Sequence, residues 1–171
     1  MTRGHVRIGG LDVFEPANAA ELEAIGGRLR PEEREESETL GETAEVRRRA
    51  YARCRRTATV CHKGEMLAVG AIMDMPDGRR YLTLERAEAC LRPGHRVAWL
   101  RGFGPFAAWA RASDDAMGFS GAFFTVSPVD YPSAIRLYCR HGGAQLKGEI
   151  EVAGRAFYLF EFPETEGGYL P

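Results

Sequence analysis

GAFFTV (121–126), YPSAIRLYCRHGG (131–143), AQLKGEIEV (144–152) and RAFYLFEF (155–162) follow one another near the C-terminus, and they decide the fold. The first, third and fourth carry branched and aromatic residues in short runs, the pattern of strands. The second places Ala134, Leu137 and Tyr138 on one helical face and runs into Gly142, a natural helix stop. Ala153-Gly154 separates the last two runs as a turn. Strand, helix, strand, strand in this order predicts an α+β domain.

Upstream, residues 92–118 predict at least one helix, because Phe106, Trp109 and Ala110 form a helical stripe. Two arrangements are open. Arg101-Gly102-Phe103-Gly104 can be a loop, with a helix starting at Pro105. Alternatively, a longer helix from Gly94 to Arg111 gives Val97, Leu100 and Phe103 a packing role. Gly102, Gly104 and Pro105 each oppose that longer helix, since all three are costly in a helix interior.

Further upstream, residues 57–75 predict a hairpin turning at Lys63-Gly64-Glu65. Pro76-Asp77-Gly78 then turns into another strand, RRYLTLERA (79–87). HVRIGGLDVF (5–14) reads as one strand with a glycine interruption. Asn18 and Glu21 form a capping-box pattern, with Leu22, Ile25 and Leu29 on one face. Pro31, Glu32 and Glu33 suit a helix start, and Gly41 a stop. In TAEVRRRAYARC (43–54), Val46, Ala50 and Cys54 are expected to face inward and the arginines to form a solvated face.

The chain has 171 residues, which suits one domain over 1–171, with a core at about 5–162 and a loose tail at 163–171. Its 23 Lys+Arg against 24 Asp+Glu leave a net charge of −1, so no basic field recommends a nucleic-acid partner. No apolar run approaches the roughly 18 residues of a membrane span, and the N-terminus lacks a secretion-signal core. Cys54, Cys61, Cys90 and Cys139 are widely spaced, as free thiols of a reducing cytosol would be.

The predicted order, with a mostly antiparallel twisted sheet of about six to seven strands flanked by helices, resembles the GNAT acetyltransferase superfamily over about 6–162. The segment LRPEEREE (29–36), the hairpin GEMLAVGAI (64–72), the A-I-R-L-Y-x-x-x-G helix (134–142) and the closing FYLFEF (157–162) are similar to GNAT-like proteins of tailed bacteriophages, including internal virion proteins. The resemblance implies acetyl-CoA as co-substrate and an amine as acceptor, in a bacterial host cytoplasm. It equally implies a second possibility, a catalytically degenerate GNAT-fold protein of the virion, partnered by other virion subunits or by itself. No membrane and no metal are expected.

The resemblance also assigns roles. Arg101, Gly102 and Gly104 match the start of the family's R-x-x-G-x-G/A pyrophosphate loop, although Phe106 stands at its third small position. Tyr138 matches the tyrosine that protonates the leaving thiolate. Glu85 lies near the family's carboxylate base. Tyr131 and Gly143 stand where the family often has Asn and Phe. His62, His95 and His141 are dispersed and lack metal-ligand spacing.

Overall fold

A computed structural model describes residues 3–39 and 41–164. Among them, eight strands form one sheet in the order β1-β2-β3-β4-β5-β6-β8-β7. These are β1 (Gly4–Ile8), β2 (Leu11–Glu15), β3 (Arg56–His62), β4 (Glu65–Asp74), β5 (Arg80–Arg86), β6 (Phe123–Pro128), β7 (Gln145–Val152) and β8 (Arg155–Phe162). The helices are α1 (Ala19–Gly26), α2 (Pro31–Thr39), α3 (Ala44–Arg53), α4 (Pro93–Ala116) and the short α5 (Ser133–Ile135). The α+β class and the mostly antiparallel sheet match expectation, but the strand count is eight. The extra strand arises at Gly9 and Gly10, whose φ angles of 57° and 87° turn the chain back on itself. A two-residue turn with positive φ at both positions closes a tight hairpin. Lys63 and Gly64 do the same for β3 and β4, at φ 53° and 78°.

Strand β4 is buried from Met66 to Ile72, as befits a central strand covered on both faces. On one side α4 lays Trp99, Phe103, Phe106, Ala107 and Ala110 against the sheet. Among the expected readings of this segment, the long helix is the one formed, and it runs further than expected, over 24 residues. The glycines that argued against it are what seat it. A Cβ at Gly102 would come within 2.5 Å of Leu11 Cδ1, and one at Gly9 within 2.8 Å of the Gly102 Cα. A Cβ at Gly104 would overlap the His141 carbonyl. Close approach of backbones repays the intrinsic cost of these residues. Pro105 lies inside the helix and removes one donor from its ladder.

On the other side, α1 starts with the expected capping box, Asn18 with Glu21. Helix α3 is turned by one residue from expectation. Val46 is exposed, whereas Arg47 and Tyr51 are buried. The reason is polar: Arg47 donates to Glu85 and Ser37, and Tyr51 donates to Glu85. Arg48, Arg49 and Arg53 remain on the solvated face as read. The A-I-R-L-Y helix also differs. After α5 it widens into a π-helical turn at Arg136–His141, closed by Gly142 N–H donating to the Leu137 carbonyl at 2.9 Å. The wider turn buries the neighbours Leu137 and Tyr138 together.

All four cysteines are free. Among the described residues no helix is long and apolar enough to cross a membrane. Of the expected tail, residues 165–171 lie outside the described residues.

Candidate functional site

Among the described residues, strands β5 and β6 are the one parallel pair of neighbouring strands, and they touch only at their starts, Arg80 beside Phe123 and Tyr81 beside Phe124. Strand β6 pairs with β8 along its whole length, but beyond these residues it leaves β5, so the sheet splays. The split has a charged clamp at its closed end. Asp114, fully buried on α4, takes both Arg55 and Arg80, the latter at 2.7 Å. Burial opposes its charge, but the hydrogen bonds from Arg55 and Arg80 outweigh that and hold its carboxyl below the usual range.

At the open end lies a cavity of about 310 Å³. Its walls come from β5 (Thr83, Leu84, Glu85, Arg86), β6 (Thr125 to Pro128), α2 (Glu33, Glu36, Ser37), Tyr131, Tyr138 and the end of the β7–β8 hairpin (Val152, Phe157). Backbone groups reach it too. Ala87 N–H donates to Leu67 across the β4–β5 pair. By antiparallel alternation, the N–H and C=O of Leu84 then point away from β4, into the split. Past that point the β5 edge is taken: Arg30 N–H donates to the Arg86 carbonyl at 3.0 Å, and Glu88 N–H to the Arg28 carbonyl at 2.7 Å.

Tyr138 sits in the cavity wall. Its ring packs on Phe160 at 4.9 Å and Phe103 at 5.6 Å. Its hydroxyl shares a hydrogen bond with Thr125. Burial pushes the phenol above its ordinary pKa, so it keeps its proton at neutral pH. Glu85 also lines the cavity with Thr83, but Arg47 Nε (2.6 Å) engages one of its oxygens and Tyr51 the other. That geometry anchors α3 to the sheet.

Arg101, Gly102 and Gly104 are not brought to the cavity. They lie in the middle of α4, where main-chain N–H groups are spent on the helix and cannot cradle an anion. The expected loop is therefore corrected. The helix begins twelve residues earlier than Pro105, at Pro93, directly after β5 and a 3₁₀ turn at Glu88–Leu91. Its free first-turn donors are the N–H groups of Gly94 and His95, with Arg92 and Arg96 alongside; Arg96 N–H already bonds Arg92. The signal for this start was Arg92-Pro93-Gly94, a proline at the first helical position following a strand.

Two groups were missed altogether. Arg86 and Glu33 form a buried ion pair between β5 and α2. Burial pushes the Glu33 carboxyl up, while Glu33 keeps Arg86 charged against the same burial. Glu36, one helical turn on from Glu33, faces the cavity, and among the described residues it enters no hydrogen bond or ion pair. Burial, with Glu42 and Glu33 adding to it and Arg155 opposing, pushes its carboxyl up to about 7. The i, i+3 spacing of two glutamates on an acidic helix was the available signal.

His62 and His95, apart in sequence, meet at 3.0 Å between their Nδ1 atoms, and His95 contacts Glu65 at 3.0 Å. Among the described residues no group of three or more His, Cys, Asp or Glu is arranged to hold a metal.

Solved structures share this architecture. A Bordetella pertussis protein assigned to the GNAT acetyltransferases is 18% identical, with a TM-score of 0.64 over 94% of this chain and 100% of that one. This is the GNAT fold. RimL, a ribosomal L7/L12 α-N-protein acetyltransferase solved with coenzyme A, is 11% identical, with a TM-score of 0.62 over 92% and 97% of the two chains. A GNAT-family acetyltransferase of Bacillus anthracis is 10% identical, with a TM-score of 0.61 over 92% and 97%. No protein-family model matches the chain, and no curated protein matches it. The three similar structures are acetyltransferases, and nothing in them supports the expected link to phage or virion proteins.

Proposed function

We propose that the protein transfers an acyl group, acetyl in the simplest case, from coenzyme A to an amine. One observation carries this: the split between β5 and β6 opens on a cavity that contains a buried, protonated phenol, Tyr138, and an unpaired carboxylate. Acyl transfer to an amine needs a proton donor for the departing thiolate and an acceptor for the amine proton. Both lie in one wall system.

The residues present fit coenzyme A. The N-terminus of α4 offers the Gly94 and His95 N–H groups to the pyrophosphate, with Arg96 for its charge while Arg92 is held by Glu65, and a helix start favours an anion. A Cβ built on Gly94 would meet open space. The Leu84 main chain offers a donor and an acceptor to the amide-bearing arm. Tyr138 then delivers its proton to the sulfur as the C–S bond breaks. In this arrangement Arg101, Gly102 and Gly104 support α4 rather than hold the ligand.

The degenerate virion reading draws no support from the similar structures, which are acetyltransferases. The test is thiol release from acetyl-CoA in the presence of a mixture of primary amines. Tyr138→Phe should lower turnover about 100-fold, the scale of general-acid catalysis, with the dissociation constant for coenzyme A unchanged. Full turnover by that variant would remove Tyr138 from the chemistry.

A further inference from the structure

We infer that Glu36 accepts the proton of the incoming amine, and that the acceptor is a small primary amine with an apolar substituent. This deepens the acyl-transfer reading and rests on it. Four carboxylates border the cavity: Glu33, Glu36, Glu42 and Glu85. Three have partners. Glu33 holds Arg86, Glu85 holds Arg47 and Tyr51, and Glu42 lies 3.8 Å from Arg47. Glu36 alone is left to meet a cation brought from outside. Its helix is held before it by the Glu33–Arg86 pair and by Tyr131, whose hydroxyl donates to the Glu32 carbonyl, and after it by Arg47, which donates to the Ser37 hydroxyl at 2.8 Å. The carboxylate is thus positioned without being consumed.

The charged and titratable groups facing Glu36 come from every element around it. They are Glu33 on its own helix, Glu42 beyond it, Arg86 on β5, Arg155 on β8, and Tyr131 and Tyr138 from the segment after β6. The balance leaves its carboxyl titrating at about 7, suited to taking a proton at neutral pH. The rest of the wall selects the acceptor. Val152, Phe157, Pro128 and Leu84 are apolar, and Ser37, Thr83, Thr125 and Ser127 are polar but uncharged. With a single spare carboxylate, a second ammonium group on the same ligand would find no counter-charge. A monoamine fits and a polyamine does not.

The step balances. An ammonium proton passes to Glu36, the neutral nitrogen attacks the thioester carbonyl carbon, and a C–N bond forms as the C–S bond breaks. The sulfur leaves with the Tyr138 proton. The second amine proton restores the tyrosinate through solvent, and the proton on Glu36 is released to bulk water. The products are the amide, free thiol and one proton.

The experiment uses acetyl-CoA with phenylethylamine and, separately, with spermidine. Phenylethylamine should be the better acceptor by at least tenfold in kcat/KM. Glu36→Gln should lower kcat/KM at least about 100-fold, leave acetyl-CoA affinity within threefold, and abolish the rise in rate through pH 7. A preference for spermidine, or an unchanged rate and pH profile in Glu36→Gln, overturns the inference. A second measurement stands apart from turnover. The ¹³C signal of the Glu36 carboxyl should titrate at about 7 in the free protein, as its surroundings dictate. It should shift down by about one unit in saturating phenylethylamine, because a bound cation favours the carboxylate. A titration unmoved by the amine overturns the assignment. Failure of acetyl-CoA to bind, by contrast, overturns the acyl-transfer reading, and the amine titration still decides the amine site.

Discussion

The two ends of the β5–β6 seam are both crowded with charge, yet they handle it in opposite ways. At the closed end Asp114 is fully buried and saturated by arginines, which hold its carboxyl down. At the open end Glu36 is partly buried and unpaired, and its carboxyl is pushed up to about 7. The same residue chemistry thus makes a clamp in one place and a titrating group in the other. What separates them is whether a guanidinium hydrogen-bonds the carboxylate directly or acts on it only from a distance. A charge without a partner is costly to keep, and such groups gather where a ligand supplies the partner.

The contrast can be broken at the clamp with the largest effect. Asp114→Asn removes the buried anion that Arg55 and Arg80 share and leaves them only the more exposed Asp74 and Asp115. It should cost about 3–5 kcal/mol of stability, read from denaturant unfolding, as expected for one half of a buried ion pair. A cost under about 1 kcal/mol would mean that the clamp is not what closes the seam.

A smaller effect is expected where α4 meets the π-helical turn that carries Tyr138. Gly104→Ala would press a methyl into the His141 carbonyl. Overpacking of this kind should cost about 1–3 kcal/mol, and should shift Tyr138 along with the turn. Equal stability with unchanged near-ultraviolet circular dichroism would show that the helix has room to move.

The smallest effect sharpens the open end, and its sign is opposite. Glu36 has a folded pKa of about 7 against an ordinary value of 4.5. A raised carboxyl stabilises the fold fully below the unfolded value, and that contribution is lost as pH rises through the folded value. Wild type should therefore lose stability between about pH 4.5 and pH 7 relative to Glu36→Gln. At pH 8 the variant should be the more stable by about 1–2 kcal/mol, after allowance for solvent screening of a partly exposed group. Near pH 4.5 the two should converge. A difference independent of pH would deny the shift.

Much of the fold was legible because it is written in local patterns. The strand runs, the Asn18–Glu21 box and the Lys63-Gly64 turn each depend on neighbours in sequence, and each formed. Features set by distant partners were hidden. Arg47 reads as a solvated arginine until Glu85, 38 residues away, is seen beside it. Gly102 and Pro105 read as helix breakers until the backbone at Gly9 and the side chain of Leu11 are seen to need the space. That misreading put a loop at 101–104, whereas the helix starts at Pro93. Tyr138 stands out in the sequence because it belongs to a contiguous motif. Glu36 does not, because its isolation is a property of which carboxylates around it are already taken.

The central claim is that the β5–β6 split receives coenzyme A, and calorimetric titration with acetyl-CoA tests it most directly. Saturable binding of one ligand per chain in the micromolar range is the predicted result, with a stability gain of about 2.7 kcal/mol at a hundred times the dissociation constant. No heat and no change in melting temperature at millimolar acetyl-CoA would contradict it.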